Sequence, residues 1–317
     1  MKRSCLSMQY FRSRIAALVL AVMIAVVTAR PASAQAILVV DDDGQATATD
    51  CNATQNAYSS IQDAVDAASA GGTIFVCPSV YDEQVVVTTS NLTILGSGMD
   101  TTIMRPSAVS VNSSGTSTLF PVRAILLISG ATGVTVKHLT VDGGLADGGA
   151  GHSNCLQVGA YIGIYYRNSS GTVESTHVTN IRSATVCSTG LSASTGSGHV
   201  SKLVVKDSLF NNYGSDGMRC GGAGAVCRVT GNTFRGRGPV TDQIQGGIIF
   251  RGGAGGSITN NVITDHFYTP AIGIFEFSVG IGLFNPEPDL NPHLLQNNSF
   301  AGDQLNVQRQ GTAQTVE

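Results

Sequence analysis

Charge is scarce in this chain: only 12% of its 317 residues are Asp, Glu, Lys or Arg, about half the usual fraction for a soluble domain. Charge-driven disorder is therefore excluded. Tryptophan is absent and proline numbers 9, so neither a Pro-rich linker nor a collagen-like segment fits, and the glycines follow no G-X-Y period. Glycine itself is abundant, at 38 residues, and marks a chain of many turns and short strands. No Cys-x-x-Cys occurs and the six histidines (His138, His152, His177, His199, His266, His293) show no ligand spacing, which argues against zinc. After the first 30 residues no long apolar run remains.

Those first residues differ from the rest. Lys2, Arg3, Arg12, Arg14 and Arg30 precede every acidic residue, and removing them leaves 13 basic against 21 acidic side chains. A basic stretch, an apolar run from Ile15 to Ala29 and the small residues Ala32 and Ala34 read as a secretory signal peptide over 1–34. Cleavage after Ala34 gives a mature chain of 35–317, secreted to an extracellular or periplasmic space, without a membrane anchor. Its acidic balance disfavours a nucleic-acid partner. The mature chain keeps six cysteines, Cys51, Cys77, Cys155, Cys187, Cys220 and Cys227, an even number in a compartment that preserves disulfides. If successive stretches stack, nearest-neighbour pairing (Cys51 with Cys77, Cys155 with Cys187, Cys220 with Cys227) is the expectation among 15 connectivities.

Ile37–Val40 reads as a strand ending at the acidic turn Asp41-Asp42-Asp43-Gly44. One helix is expected, with Ser60 as its cap, Asp63 at its third position, and Ile61, Ala64, Val65 and Ala68 on one face, ending at Gly71-Gly72. From Gly133 onward a pattern of apolar residues recurs, closing at Val141, Val178, Leu209, Phe234, Ile263 and Phe300. Between these lie strand-like units starting at Gly163, Gly190, Gly217, Gly247 and Gly273. Two strands per 25 to 37 residues fit one coil of a solenoid better than a propeller blade, which needs about 40 to 45 residues. The fourth position of the pattern reads Leu139, Thr176, Asp207, Asn232, Asn261, Asn298, so a ladder of stacked Asn amides is expected in the last coils.

The run 58–76 (YSSIQDAVDAASAGGTIFV), then 78–83 (PSVYDE) and 92–96 (LTILG), resembles the opening of right-handed parallel β-helix proteins of the pectin-lyase-like superfamily. The resemblance implies an all-β solenoid with a short N-terminal capping helix: a single domain over 35–317, with a cap at about 35–76, coils at about 77–300 and a tail over 301–317. It also implies a surface used for polysaccharide, whether by lyases, hydrolases, methylesterases or non-catalytic surface proteins. The family's clustered Asp-Asp and Gly-His-Gly segments, its lyase arginine motif and its methylesterase Asp pattern are not found here, so no active site transfers residue by residue.

Candidate site residues come instead from alternation along the glycine-started strands. It sends Tyr165, Arg167, Ser192, Ser194, Arg219, Ile249, Arg251, Phe275 and Phe277 outward, and Glu276 awkwardly inward. On that face Arg167, Arg219 and Arg251 would pair with carboxylates of an acidic glycan while Tyr165 and Phe275 support sugar rings. Asp216, Arg219, Asp242 and Arg251 are the catalytic candidates, with Asp265-His266 in a neighbouring loop and Asp142, Asp147 and His152 on or beside a Gly-rich insertion. A lyase would need a cation or Ca2+ beside the uronate carboxylate, plus a base; a hydrolase would need two carboxyl groups. No cofactor is otherwise expected. The competing expectation is a non-catalytic β-helix that binds glycan or builds a cell surface, and in either case a monomer. Sequons at Asn52, Asn91, Asn112, Asn168 and Asn297 leave glycosylation open.

Overall fold

A computed structural model describes residues 36–117, 120–144, 159–269, 277–284, 293–309 and 312–314. Three sheets of nine, eight and ten strands run the length of the chain. Each coil visits them in turn: Gly171–Glu174 lies in the first sheet, His177–Thr179 in the second, and Cys187–Ser194 in the third. The chain then returns to the first sheet at Ser201–Lys206, beside Gly171–Glu174 and parallel to it. All the coil-to-coil pairings are parallel, as in a right-handed parallel β-helix. The exceptions are Ser113–Ser114, antiparallel to Pro121–Ser129, and Thr312–Gln314, antiparallel to Leu305–Arg309.

Stacking places like residues over like. Val136, Val173, Val205, Val229 and Ile258 form one fully buried column in the first sheet. Val141, Val178, Phe210, Phe234, Ile263 and Phe300 form another in the second, where the Phe210 and Phe234 rings stack at 4.5 Å and 5°. The expected Leu209 is replaced in this column by Phe210. Val204 and Val205 are both apolar, and the structure turns the second one inward, so that coil sits one residue later than its pattern reads.

The same shift corrects the polar ladder, whose member in that coil is Ser208 rather than Asp207. The amide oxygen of Asn298 accepts from Asn261 N at 3.1 Å and Nδ2 at 2.9 Å. Asn261 Oδ1 accepts from Asn232 N and Nδ2, both at 3.0 Å, Asn232 Oδ1 from Ser208 N at 3.0 Å, and Ser208 Oγ from Thr176 N at 3.1 Å. The Nδ2 groups of Asn232 and Asn261 also donate to turn carbonyls of their own and the preceding coil. Each side chain thereby satisfies buried backbone groups at a turn where no sheet partner is available.

Helix α1 (Ile61–Ala67) turns Ile61, Ala64 and Val65 into the core at the N-terminal end. Ser60 Oγ accepts from Asp63 N at 3.1 Å, as its sequence implies. The Glu83 carboxylate, 22 residues downstream of Ile61, accepts from Ile61 N at 2.7 Å and Gln62 N at 2.9 Å, placing a negative charge on the exposed N–H groups of the helix start. Ala68 is already extended, so the helix stops before Gly71. The solenoid also exceeds its expected limits: Ile37–Val40 already pairs with Thr73–Val76 in the first sheet, and Leu305–Arg309 continues the third.

Cys51 is bonded to Cys77 and Cys220 to Cys227. Cys187 is disulfide-bonded, and its expected partner Cys155 lies outside the described residues. Among the described residues no helix is long and apolar enough to cross a membrane.

Asn261→Ala removes the acceptor for Asn232 N and Nδ2 and the Nδ2 donor to Val229 O, while the Asn298 amide oxygen keeps only the bond from the backbone N of residue 261. We expect the denaturant midpoint to fall, corresponding to a loss of about 2–4 kcal/mol, from roughly 1–3 kcal/mol per stranded buried group; an unchanged midpoint would show that the ladder does not support the last coils.

Candidate functional site

The site is created by an irregularity in the third sheet. Gly163, Gly190, Gly217, Gly247 and Gly280 lie at one level, and the pairing skips them: Ile162 pairs with Thr189 and Ile164 with Leu191, with no pair between. A Cβ at Gly190 would sit 2.6 Å from Gly217 O, and one at Gly217 would sit 2.8 Å from Gly247 O and 2.7 Å from a Phe234 ring carbon. No larger residue fits. Each glycine is left unpaired and breaks the in-out alternation without changing the register, since the offset between paired residues is the same on either side of it, and each strand begins before its glycine rather than at it. In the coil of Asp216–Gly221 this turns Asp216 and Arg219 to the same outward face, although residues three apart in a regular strand face opposite ways. Arg219 accordingly reaches back, its Nε donating to Asp216 Oδ2 at 2.7 Å and its Nη2 donating to the same oxygen.

The glycine column also corrects the last coil. The strand paired with Gly246–Arg251 is Val279–Phe284, with Gly280 in the column and Phe284 opposite Arg251. The strand expected to start at Gly273 therefore starts at Val279, and Gly273, Phe275 and Glu276 lie outside the described residues. Phe277 lines the cleft described below from a position ahead of the strand.

Two of the expected groove residues do other work. The outer face of Pro121–Ser129 and Ala160–Arg167 carries its own apolar cluster, comprising Val122, Ala124, Leu127, Ala160, Ile162 and Tyr165, with Phe120 and Val86 packed on it. Residues 110–117 and Phe120 run over this face. Tyr165 points out of the solenoid as expected but is only 2% exposed, and its hydroxyl reaches Ser114 O at 3.4 Å. Burial pushes its phenol up, with Ser194 and Arg167 opposing. Arg167 donates through Nε to Ser114 O at 2.9 Å and through Nη2 to Ser114 Oγ at 3.3 Å. Both residues anchor the covering segment.

What stays open is a cleft of about 920 Å³ on the C-terminal half of that face. Asp216, Arg219 and Arg251 meet in it, between apolar walls from Phe120, Ile249, Phe277, Val279 and Phe284 and a polar margin of Ser194, Thr195, Ser215, Gln243 and Gln245. Gln243 Nε2 donates to Ser215 Oγ at 2.6 Å. Among the described residues the guanidinium of Arg251 makes no hydrogen bond or ion pair. The charge of Arg219 beside it, and burial, pull its pKa down to about 10, against the partial relief of Asp216. Two cations therefore share one carboxylate.

The remaining candidates do not join them. Asp242 is held by Arg237 through two parallel bonds of 2.9 Å and does not line the cleft. Asp265 pairs with the exposed Arg235 at 3.1 Å. Asp142 accepts from Arg105 Nε, Gly144 N and Asn180 Nδ2, each at 2.8 Å. Burial opposes its ionisation, but these partners outweigh it and hold the carboxyl low. His266 is wholly buried, its Nδ1 2.6 Å from Asp303 Oδ1 and its Nε2 2.5 Å from the Tyr213 hydroxyl. Burial, then the charges of Asp303, Asp216 and Asp265, push the Tyr213 phenol well up, so Tyr213 keeps its proton. Asp147 and His152 lie outside the described residues. Calcium does not fit the described lining of the cleft: the one carboxylate among the described residues there, Asp216, is spent on Arg219 beside a second guanidinium, where Ca2+ takes six to eight oxygen ligands. Among the described residues no group of three His, Cys, Asp or Glu could hold a metal.

Arg167→Ala should loosen the covering segment without unfolding the solenoid. Hydrogen exchange at Asn112 N and Gly115 N, which bond to Val122 O and Phe120 O, is expected to accelerate about tenfold, as loss of charge-assisted bonds worth ~1.5–3 kcal/mol allows; unchanged protection would remove Arg167 as the anchor.

No protein-family model and no curated protein matches the chain. Among solved structures it is similar to the pectin methylesterase of Aspergillus niger, at 13% identity over 91% of this chain and 94% of that one, with a TM-score of 0.44. It is similar also to the family 28 exopolygalacturonase of Yersinia enterocolitica, at 11% identity over 89% and 68% with a TM-score of 0.37, and to an alginate lyase of a Paenibacillus species, at 12% identity over 78% and 96% with a TM-score of 0.25. These are pectin-lyase-like β-helix proteins, and at such identities the likeness is one of fold alone.

Proposed function

We propose that this is a secreted, carbohydrate-active β-helix protein whose cleft takes an acidic polysaccharide and cleaves it by β-elimination. The observation that carries this reading is the sharing of one carboxylate by two guanidiniums in a partly apolar cleft, which leaves one positive charge for a ligand carboxylate. Arg219 spends Nε and Nη2 on Asp216 and retains Nη1 for a uronate. That contact neutralises the uronate carboxylate and so acidifies the carbon-bound proton beside it. Arg251, lowered to about 10 by its neighbour and by burial, is the base. It takes the proton from the carbon alpha to the carboxylate, the new double bond forms as the C–O bond to the leaving sugar breaks, and the leaving oxygen takes up a proton from water. The phenylalanines give sugar rings an apolar face. Hydrolysis is disfavoured, because it calls for two carboxyl groups across the scissile bond and Asp242 is turned away to Arg237. Export is supported by the basic, apolar and small-residue order of 1–34.

A second reading, retention of glycan without turnover, is favoured by one observation: among the described residues no Tyr, His, Lys, Cys or Glu lines the cleft, so none of them brings a side chain with an ordinary acid pKa to the leaving oxygen.

Incubating the chain lacking 1–34 with polygalacturonate, alginate and neutral glycans, with and without a chelator, separates the readings. Elimination gives unsaturated-product absorbance together with new reducing ends, undiminished by the chelator. Reducing ends without absorbance would overturn it in favour of hydrolysis, and retention without either product would leave the binding reading. Arg251→Ala should cost about 10²–10⁴-fold in turnover, the usual worth of a general base. Because only the neutral form of Arg251 accepts a proton and its pKa lies above the working range, kcat/KM is expected to rise about tenfold per pH unit from 7 to 9 and to level near 10. A flat profile would remove Arg251 as the base.

A further inference from the structure

We infer that the cleft receives the end of a polysaccharide chain and excludes its interior, an inference that rests on the acidic-polysaccharide reading of the same site. A polymer lying along the third sheet follows its outward columns. From the cleft toward the N-terminal end these run Arg251, Gly221, Ser194, Arg167 and, alongside, Ile249, Arg219, Ser192, Tyr165. Two strands beyond Arg219 the track is occupied, because Tyr165 is 2% exposed and Arg167 is bonded to Ser114.

The obstruction is built into the sheet. Asn112 Nδ2 donates to Ala124 O at 2.9 Å and its Oδ1 accepts from Ala124 N at 3.0 Å. Ser113–Ser114 pairs antiparallel with Val122 and Pro121, and Gln84 ties Ser110 to Ala124 O. Thr116, Ser117 and Phe120 of this segment form the cleft wall on that side. A chain laid over the two arginines must stop there.

The foot of the wall is chemically suited to a terminus. Thr116, Ser117, Ser194 and Thr195 bring four hydroxyls to that side of the cleft. Thr195 is 5% exposed, and its Oγ1 is buried without a hydrogen-bond partner. A terminal sugar carries one free hydroxyl that an internal sugar has given up to a glycosidic bond, and that group can satisfy the unpaired oxygen.

The test is calorimetric titration of the chain lacking 1–34 with size-fractionated polygalacturonate of two lengths differing about tenfold, at pH 6, where Arg251 is protonated and turnover is suppressed; alginate fractions form a second series. End recognition gives one protein per chain at both lengths, so the polymer mass needed for saturation rises about tenfold with length. Thr195→Val should weaken that binding about fivefold, the worth of one neutral hydrogen bond of ~1 kcal/mol. Binding in which the number of proteins per chain grows with length would overturn the inference and leave the acidic-polysaccharide reading standing. No binding by either polymer would overturn that reading, and the inference with it.

Discussion

Close approach of backbone to backbone at one level of the third sheet governs the rest of the structure. In coils stacked by N–H···O=C bonds, a Cβ at any of these glycines would sit less than 3 Å from a carbonyl oxygen of the next coil, so a side chain is excluded there in five successive coils. The glycine is left out of the pairing, and the break in alternation that it makes decides which residues share a face. Asp216 and Arg219 meet because Gly217 stands between them and is left out of the pairing. The site is thus a by-product of packing inside the solenoid, and its charge pair is held by geometry that a single methyl group would disturb.

The interior beneath the cleft reinforces that level. A Cβ at Gly217 would lie 2.9 Å from the Tyr213 ring, and one at Gly247 would lie 3.1 Å from the His266 ring. These two rings, with Asp303, form a buried polar chain that reaches across four coils. Asp303 belongs to the last coil, between Ser299–Ala301 and Leu305–Arg309, so one hydrogen-bonded sequence ties the C-terminal end of the solenoid to the turn that leads into the strand of Asp216 and Arg219. Desolvated groups of this kind are costly if any member is lost, which couples the integrity of the cleft to the integrity of the last coil.

Most of the architecture is legible in the amino-acid order because stacking repeats a local requirement: an apolar residue pointing in, then a polar group at the turn, coil after coil. The Asn232, Asn261 and Asn298 ladder and the Ser60 cap follow from such rules. The errors arise where two residues satisfy the rule equally. Val204 and Val205 are one such pair, and Gly273-Ile and Gly280-Ile are another, separated only by which of them stacks on Gly247. The candidate site was legible in part. Arg219 and Arg251 face outward by simple alternation, while Asp216 joins them only through the break in alternation at Gly217. Nothing periodic in 110–117 announces that it lies over Tyr165 and Arg167, because most of its bonds to the sheet are to the backbone and carry no residue pattern. Glu83 caps a helix that it follows by more than twenty residues, a contact that local sequence cannot contain.

Cys220 is the residue after Arg219, and its bridge to Cys227 lies wholly inside the core. The bond therefore joins the strand bearing one guanidinium to the next strand of the first sheet, around the corner at 222–224. Thiols become bridges where the surroundings are oxidising. The consequence is a redox condition on the site: the corner beside the arginine pair is locked only in oxidising surroundings, and a chain held under reducing conditions lacks the crosslink that fixes this edge of the cleft.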